Sequence, residues 1–126
     1  MTPFGMKVRE LRKTRKITLK KMAEDLGASS AYFSALEHGH RGQPGSGLVQ
    51  QICGYFDLIW DDAEDLRRLA RLSHPRVVVD TSGLSPKATE LANTLAATIQ
   101  DLDEDTVDWV LAEIRGRHAP LRGPTH

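Results

Sequence analysis

Cysteine occurs once in the chain, at Cys53, which excludes an intrachain disulfide and a cysteine-rich zinc site. Its neighbours Val49, Ile52 and Phe56 fall at helical spacing, so Cys53 reads as a small buried hydrophobe. No apolar run is long enough to cross a bilayer. Residues 1–7 hold no apolar core ahead of the first charge, so no signal peptide is expected and no membrane partner. The expected compartment is the cytoplasm, in association with the nucleoid. Strand-like runs are nearly absent, the exception being 76–80 with Val77, Val78 and Val79 in sequence. No nucleophile stands beside a base, and no glycine loop suits a phosphate group. His38, His40 and His74 lack carboxylate or thiol companions at ligand spacing. Neither an enzyme, nor a metal, nor a cofactor is therefore expected.

Net charge is also lacking: 17 Lys and Arg balance 17 Asp and Glu. That balance conceals an asymmetry. Residues 1–60 carry nine basic side chains against five acids, and the remainder carries eight against twelve, so a front of +4 is joined to a rear of −4. A basic front suits a phosphate-facing module, and an acidic rear suits a part that avoids DNA.

The rest of the chain reads as helices. A first helix is expected from Gly5 to Lys16, with Val8 and Leu11 inward and Lys7, Arg9, Arg12, Lys13, Arg15 and Lys16 around the remaining surface. Thr18 can cap a second helix over 19–26, which Gly27 ends. Ser29 can cap a third from Ser30 to His38. After a Gly/Pro loop over 40–47, a fourth helix is expected from Leu48 to Phe56. A fifth, capped by Asp61 or Asp62, runs to about Leu72. Ser73, His74 and Pro75 break the pattern. Ser85 and Pro86 open a sixth helix with Ala88, Leu91, Ala92, Leu95, Ala96 and Ile99 on one stripe. Asp103 opens a seventh, which Gly116 is expected to end. Leu102 and Val107 are placed to pack across its cap.

Residues 18–39 meet the steric demands of a helix-turn-helix. Ala23 is the small residue on which the second helix of the motif can pack. Gly27, four positions on, tolerates the positive φ of the turn. Phe33 and Leu36 point back at the first helix, with Met22 and Leu26 completing the face. On these residues, with Leu11, Arg12, Thr18–Met22, Tyr32–Ser34 and Glu37–Gly39, the chain resembles the phage-repressor and Cro-like (XRE) family over residues 5–60.

The resemblance implies an all-α fold: a lambda-repressor-like five-helix DNA-binding domain over 1–72. It also implies double-stranded DNA as partner, with the third helix in the major groove. Ser29, Ser30, Ala31, Tyr32, Ser34 and Ala35 would then face base edges. Ala31 and Ala35 depart from the polar readers of well-studied members. The phosphate-contacting set would be Arg12, Lys16, Thr18, Leu19, Lys20, Arg41, Ser46 and Gly47, through cationic side chains and helix N-termini.

Residues 73–116 read as a short strand followed by a helical hairpin whose stripes need a partner, and 117–126 as a disordered tail. Helix-turn-helix proteins bind as dimers across half-sites about 34 Å apart. The expectation is a homodimer held by Val77, Val78, Val79, Leu91, Leu95, Ile99, Trp109 and Val110. The functional expectation is a sequence-specific transcriptional regulator, a repressor on an inverted repeat. The alternative is the antitoxin of a toxin–antitoxin pair, whose C-terminal region would hold a protein partner.

Overall fold

The computed structural model describes residues 1–118. The chain is helical, with α1 Pro3–Thr14, α2 Leu19–Leu26, α3 Ser30–Glu37, α4 Ser46–Tyr55, α5 Trp60–Arg71, α6 Pro86–Thr98, a 3-10 turn Ile99–Asp101, and α7 Glu104–His118. No strand occurs among the described residues. The expected strand at Val77, Val78 and Val79 is therefore corrected. A strand exists through hydrogen bonds to a neighbour, and the single chain offers none. The three valines are exposed, Val78 at 94%. Contacts divide the chain into two compact units, Met1–Val78 and a second that begins at Val79.

Local chemistry sets most helix limits in the first unit. Thr2 caps α1 by accepting the Gly5 N–H, and Pro3 supplies the first helical position with its fixed φ. This helix starts and ends two residues earlier than the periodicity suggests. Thr18 caps α2 through the Lys21 N–H, and Ser29 caps α3 through the Tyr32 N–H. Gly27 ends α2 in the left-handed region at φ 75. Helix α5 departs from expectation. Ile59 occupies the cap and Asp61 and Asp62 lie in the first turn, where their charges face the positive end of the helix.

The core of this unit gathers Phe4 and Val8 from α1, Met22 and Ala23 from α2, and Phe33 and Leu36 from α3. Val49, Ile52, Cys53, Phe56, Ala63, Leu66 and Ala70 complete it. Helix α3 packs on α1 and α2, while α5 packs on α1 and α4. Burial raises the Cys53 thiol above its ordinary pKa.

Two polar devices and one close backbone approach lock α1 against the far end of α3. Arg12 and Glu37 form a buried ion pair, Nη2 reaching Oε1 at 3.3 Å and Oε2 at 3.2 Å. The Glu37 carbonyl accepts the Thr2 N–H at 3.0 Å and the Thr2 hydroxyl at 3.2 Å. Gly5 passes so close to Glu37 that a Cβ there would collide with that carbonyl. A fourth device ties α5 to α1: the Ser73 hydroxyl accepts the Phe4 N–H at 2.9 Å and donates to the Leu69 carbonyl at 2.6 Å. Ser73 thus joins the end of α5 to the start of α1.

The second unit is built differently. Ser85 caps α6 through the Ala88 N–H with Pro86 next, as its sequence suggests. Asp103 accepts the Thr106 N–H at the start of α7. Helix α7 continues through Gly116 to His118, supported by the Arg117–Glu113 pair at 3.2 Å. The expected stop at Gly116 is therefore corrected, and so is the tail, since Arg117 and His118 are helical; 119–126 lie outside the described residues. Neither α6 nor α7 buries a residue, so the expected hairpin exists as two successive helices without a closed core. Leu91, Leu95, Ile99 and Trp109 remain exposed, Leu91 and Trp109 at 66% each.

Two outcomes follow for stability in urea. Gly5→Ala loses roughly 1–3 kcal/mol, because backbone must shift, whereas Gly54→Ala in α4, with open space at its Cβ, gains about 0.5–1 kcal/mol. Equal effects at the two sites would contradict the packing described. Glu37→Ala loses about 3–5 kcal/mol by stranding a buried guanidinium, and the double change Arg12→Leu, Glu37→Leu recovers much of that loss. A single-mutant loss below 1 kcal/mol would show the pair to be dispensable.

Candidate nucleic-acid interface

Helix α3 turns Phe33, Leu36 and Glu37 inward. That leaves Ser29, Ser30 and Ala31 exposed at its N-terminal end, with Tyr32, Ser34 and Ala35 half-buried beside them. All six expected base-reading residues thus lie on α3 or at its cap. They form a smooth surface of small side chains interrupted by one aromatic ring. The Ser29 hydroxyl oxygen is engaged by the Tyr32 N–H at 3.1 Å, which leaves its proton as the group it can offer. The Tyr32 ring stands edge-on to Phe33, with centroids 5.4 Å apart and planes at 78°.

The two helix starts named from the sequence are open to an anion. At α2, Thr18 accepts the Lys21 N–H through its hydroxyl and the Met22 N–H through its carbonyl, each at 3.0 Å. The N–H groups of Leu19 and Lys20 have no acceptor among the described residues. At α4 the cap is Gly45, which offers no side-chain acceptor, so the N–H groups of Ser46 and Gly47 are free in the same sense. Free amides and the helix dipole together favour a negative group at such an end. Lys16 and Lys20 are exposed. Lys16 takes a left-handed backbone, φ 56, in the turn between α1 and α2.

Arg12 is the correction in the phosphate set. Its residue exposure is 9%, and its guanidinium is committed to Glu37. Its Nε has no protein partner among the described residues. A group buried within the bundle cannot reach a duplex, so Arg12 fixes α3 in place instead. Lys21 differs from Arg12 in staying exposed while it pairs with Asp25 at 3.0 Å on the surface.

Several interactions carry no signal in the sequence. The Tyr55 hydroxyl donates to Asp25 at 2.6 Å, joining α4 to α2. Burial, followed by that bond, pushes the Tyr55 phenol up to about 12. The Tyr55 bond, then the Lys21 bond, holds the Asp25 carboxyl below the usual range. Arg15 lies over the Phe56 ring at 5.2 Å, and Arg41 over the Tyr32 ring at 5.1 Å. The expected dimer residues Val77, Val78, Val79, Leu91, Leu95, Ile99 and Trp109 are exposed and Val110 is half-buried. No helix among the described residues is long and apolar enough to cross a membrane.

Comparison with known proteins agrees with this geometry. Residues 5–59 match a family described as a helix-turn-helix domain. A Bacillus subtilis (strain 168) protein, described as the uncharacterized HTH-type transcriptional regulator RghRB, is 36% identical over 62 residues. That stretch spans 49% of this chain and 45% of the relative, so the match covers under half of the relative's length. No solved structure gives a significant match. The caps at Thr18 and Ser29, the left-handed Gly27 and the buried Ala23, Phe33 and Leu36 occupy the positions the motif requires, and over residues 5–59 the chain is similar to that helix-turn-helix family.

Proposed function

We propose that the protein is a DNA-binding transcriptional regulator that acts as a repressor on an inverted repeat, as a homodimer. The observation that carries the DNA-binding part is the pairing of an outward α3 surface with two open helix starts, at Leu19–Lys20 and Ser46–Gly47. In this reading α3 enters the major groove and its Ser29, Ser30, Ala31, Tyr32, Ser34 and Ala35 surface meets base edges. The two helix starts, with Lys16 and Lys20, grip phosphates. The printed description of the Bacillus relative as an HTH-type transcriptional regulator supports the same assignment.

The homodimer rests on the second unit. Leu91, Leu95, Ile99 and Trp109 are exposed in the single chain. Fully covering each such side chain contributes roughly 1.5–3 kcal/mol. A second copy supplies that cover and fixes two recognition helices at half-site spacing. Val77, Val78 and Val79 are exposed as well, and a second copy would cover that apolar area too.

Full-length protein titrated against promoter DNA at several salt concentrations tests the first part. Lys20→Ala weakens binding to all sequences and lowers the salt slope by roughly one, with thermal stability unchanged. An unchanged slope removes Lys20 from the interface, and an absence of salt-dependent binding by the wild type defeats the DNA-binding reading. Light scattering tests the second part. The expected mass is twice the 14.0 kDa of one chain, and Leu95→Asp shifts it to monomer. A wild-type monomer at tens of micromolar overturns the homodimer and leaves that face for a different protein, as an antitoxin would require.

A further inference from the structure

We infer that Arg41, held against the ring of Tyr32, reads a guanine in the major groove instead of gripping a phosphate. This rests on the DNA-binding reading above. The α3 surface offers serines and alanines, and none of these supplies the planar two-donor fork that best distinguishes one base from the other three. Arg41 carries such a fork, and the chain delivers it to the recognition helix from outside it. After the cap at His38, Gly39 turns the backbone at φ 83, with the His40 N–H returning to the Ala35 carbonyl at 2.8 Å. Gly42 follows at φ 76. The turn brings the Arg41 guanidinium carbon to 5.1 Å from the Tyr32 ring centroid, although Tyr32 sits in the first turn of α3. That is within the range of a cation–π contact.

The ring is a fixed platform. Tyr32 is braced edge-on by Phe33, and Phe33 is 1% exposed in the core. A cation–π contact uses the charge of the guanidinium and consumes none of its N–H donors. No carboxylate pairs with Arg41 among the described residues, so those donors are uncommitted. Guanine O6 and N7 accept two parallel bonds from such an edge. Position favours the base over the phosphate. The head lies beside the first turn of α3, among the proposed base-reading residues, while phosphate grips are available at the two helix starts. The ring contact also restricts the arginine before DNA arrives, so less rotamer freedom is lost on binding.

The experiment is selection of random double-stranded oligonucleotides by the full chain, comparing wild type with Arg41→Lys, Arg41→Ala, Tyr32→Phe and Tyr32→Leu. Affinities follow on the selected site and on a copy with the guanine replaced by adenine. The wild type is expected to select one guanine per half-site and to lose roughly 5- to 150-fold on the replaced copy. Both Arg41 variants lose that discrimination while keeping the preference at other positions, and thermal melting confirms that these exposed substitutions leave the fold intact. Tyr32→Phe keeps the platform and the guanine preference, whereas Tyr32→Leu loses it. A uniform loss across all sequences in Arg41→Ala, with the salt slope reduced by about one and the motif unchanged, makes Arg41 a phosphate contact and overturns the inference while leaving the proposed function standing. A wild type that binds no DNA overturns both.

Discussion

The buried pair of Arg12 and Glu37 is the constraint on which the geometry of the first unit turns. Two charges taken out of water are tolerable only when they face each other, so the pair fixes the distance between α1 and the last turn of α3. The Glu37 carbonyl adds bonds from Thr2, and Gly5 lets the two backbones approach to the limit. All of these act at the C-terminal end of α3. Its N-terminal end carries the open surface. The helix is thus gripped at its rear and left clear at its front, the arrangement a reading element needs if its side chains are to be placed by the scaffold and not by the ligand.

This constraint also redistributes charge. The front half of the sequence is +4, yet Arg12 is spent inside the bundle and Lys21 is paired with Asp25. The exposed cations without a carboxylate partner in the turn and at the start of α2 are Arg15, Lys16 and Lys20. A neutral chain can therefore offer phosphates a favourable local field without a uniformly basic face, provided helix starts supply part of it.

What the sequence disclosed was what depends on near neighbours. Caps at Thr18, Ser29 and Ser85, the left-handed Gly27 and the inward Ala23, Phe33 and Leu36 follow from fixed offsets within a turn or two. The burial of Arg12 depends on Glu37, 25 positions away, so no local pattern marks it. Arg41 and Tyr32, and Tyr55 with Asp25, are hidden for the same reason. The strand at Val77–Val79 was read from residue type alone, although pairing decides it. Gly116 was read as a stop, although a glycine ends a helix only where the chain needs a left-handed turn, and the neighbouring Arg117–Glu113 pair favours continuation. Asp61 and Asp62 lie two and three residues past the Ile59 cap because Trp60 begins α5.

Three side-chain-bearing residues, Lys16, Asp57 and Trp60, hold a left-handed backbone at the joints between helices, at φ 56, 55 and 48. Such a conformation costs roughly 1–2 kcal/mol for an L-residue, more than the 0.5–1 kcal/mol or so of chain freedom that glycine forfeits. Heat tolerance is therefore open to improvement at the joints without repacking the core. The joints are not equivalent as evolutionary material. Glycine at Asp57 surrenders only an exposed carboxylate, while glycine at Lys16 surrenders a cation proposed to hold the duplex. Durability and the proposed grip on DNA would compete at Lys16 and be independent at Asp57.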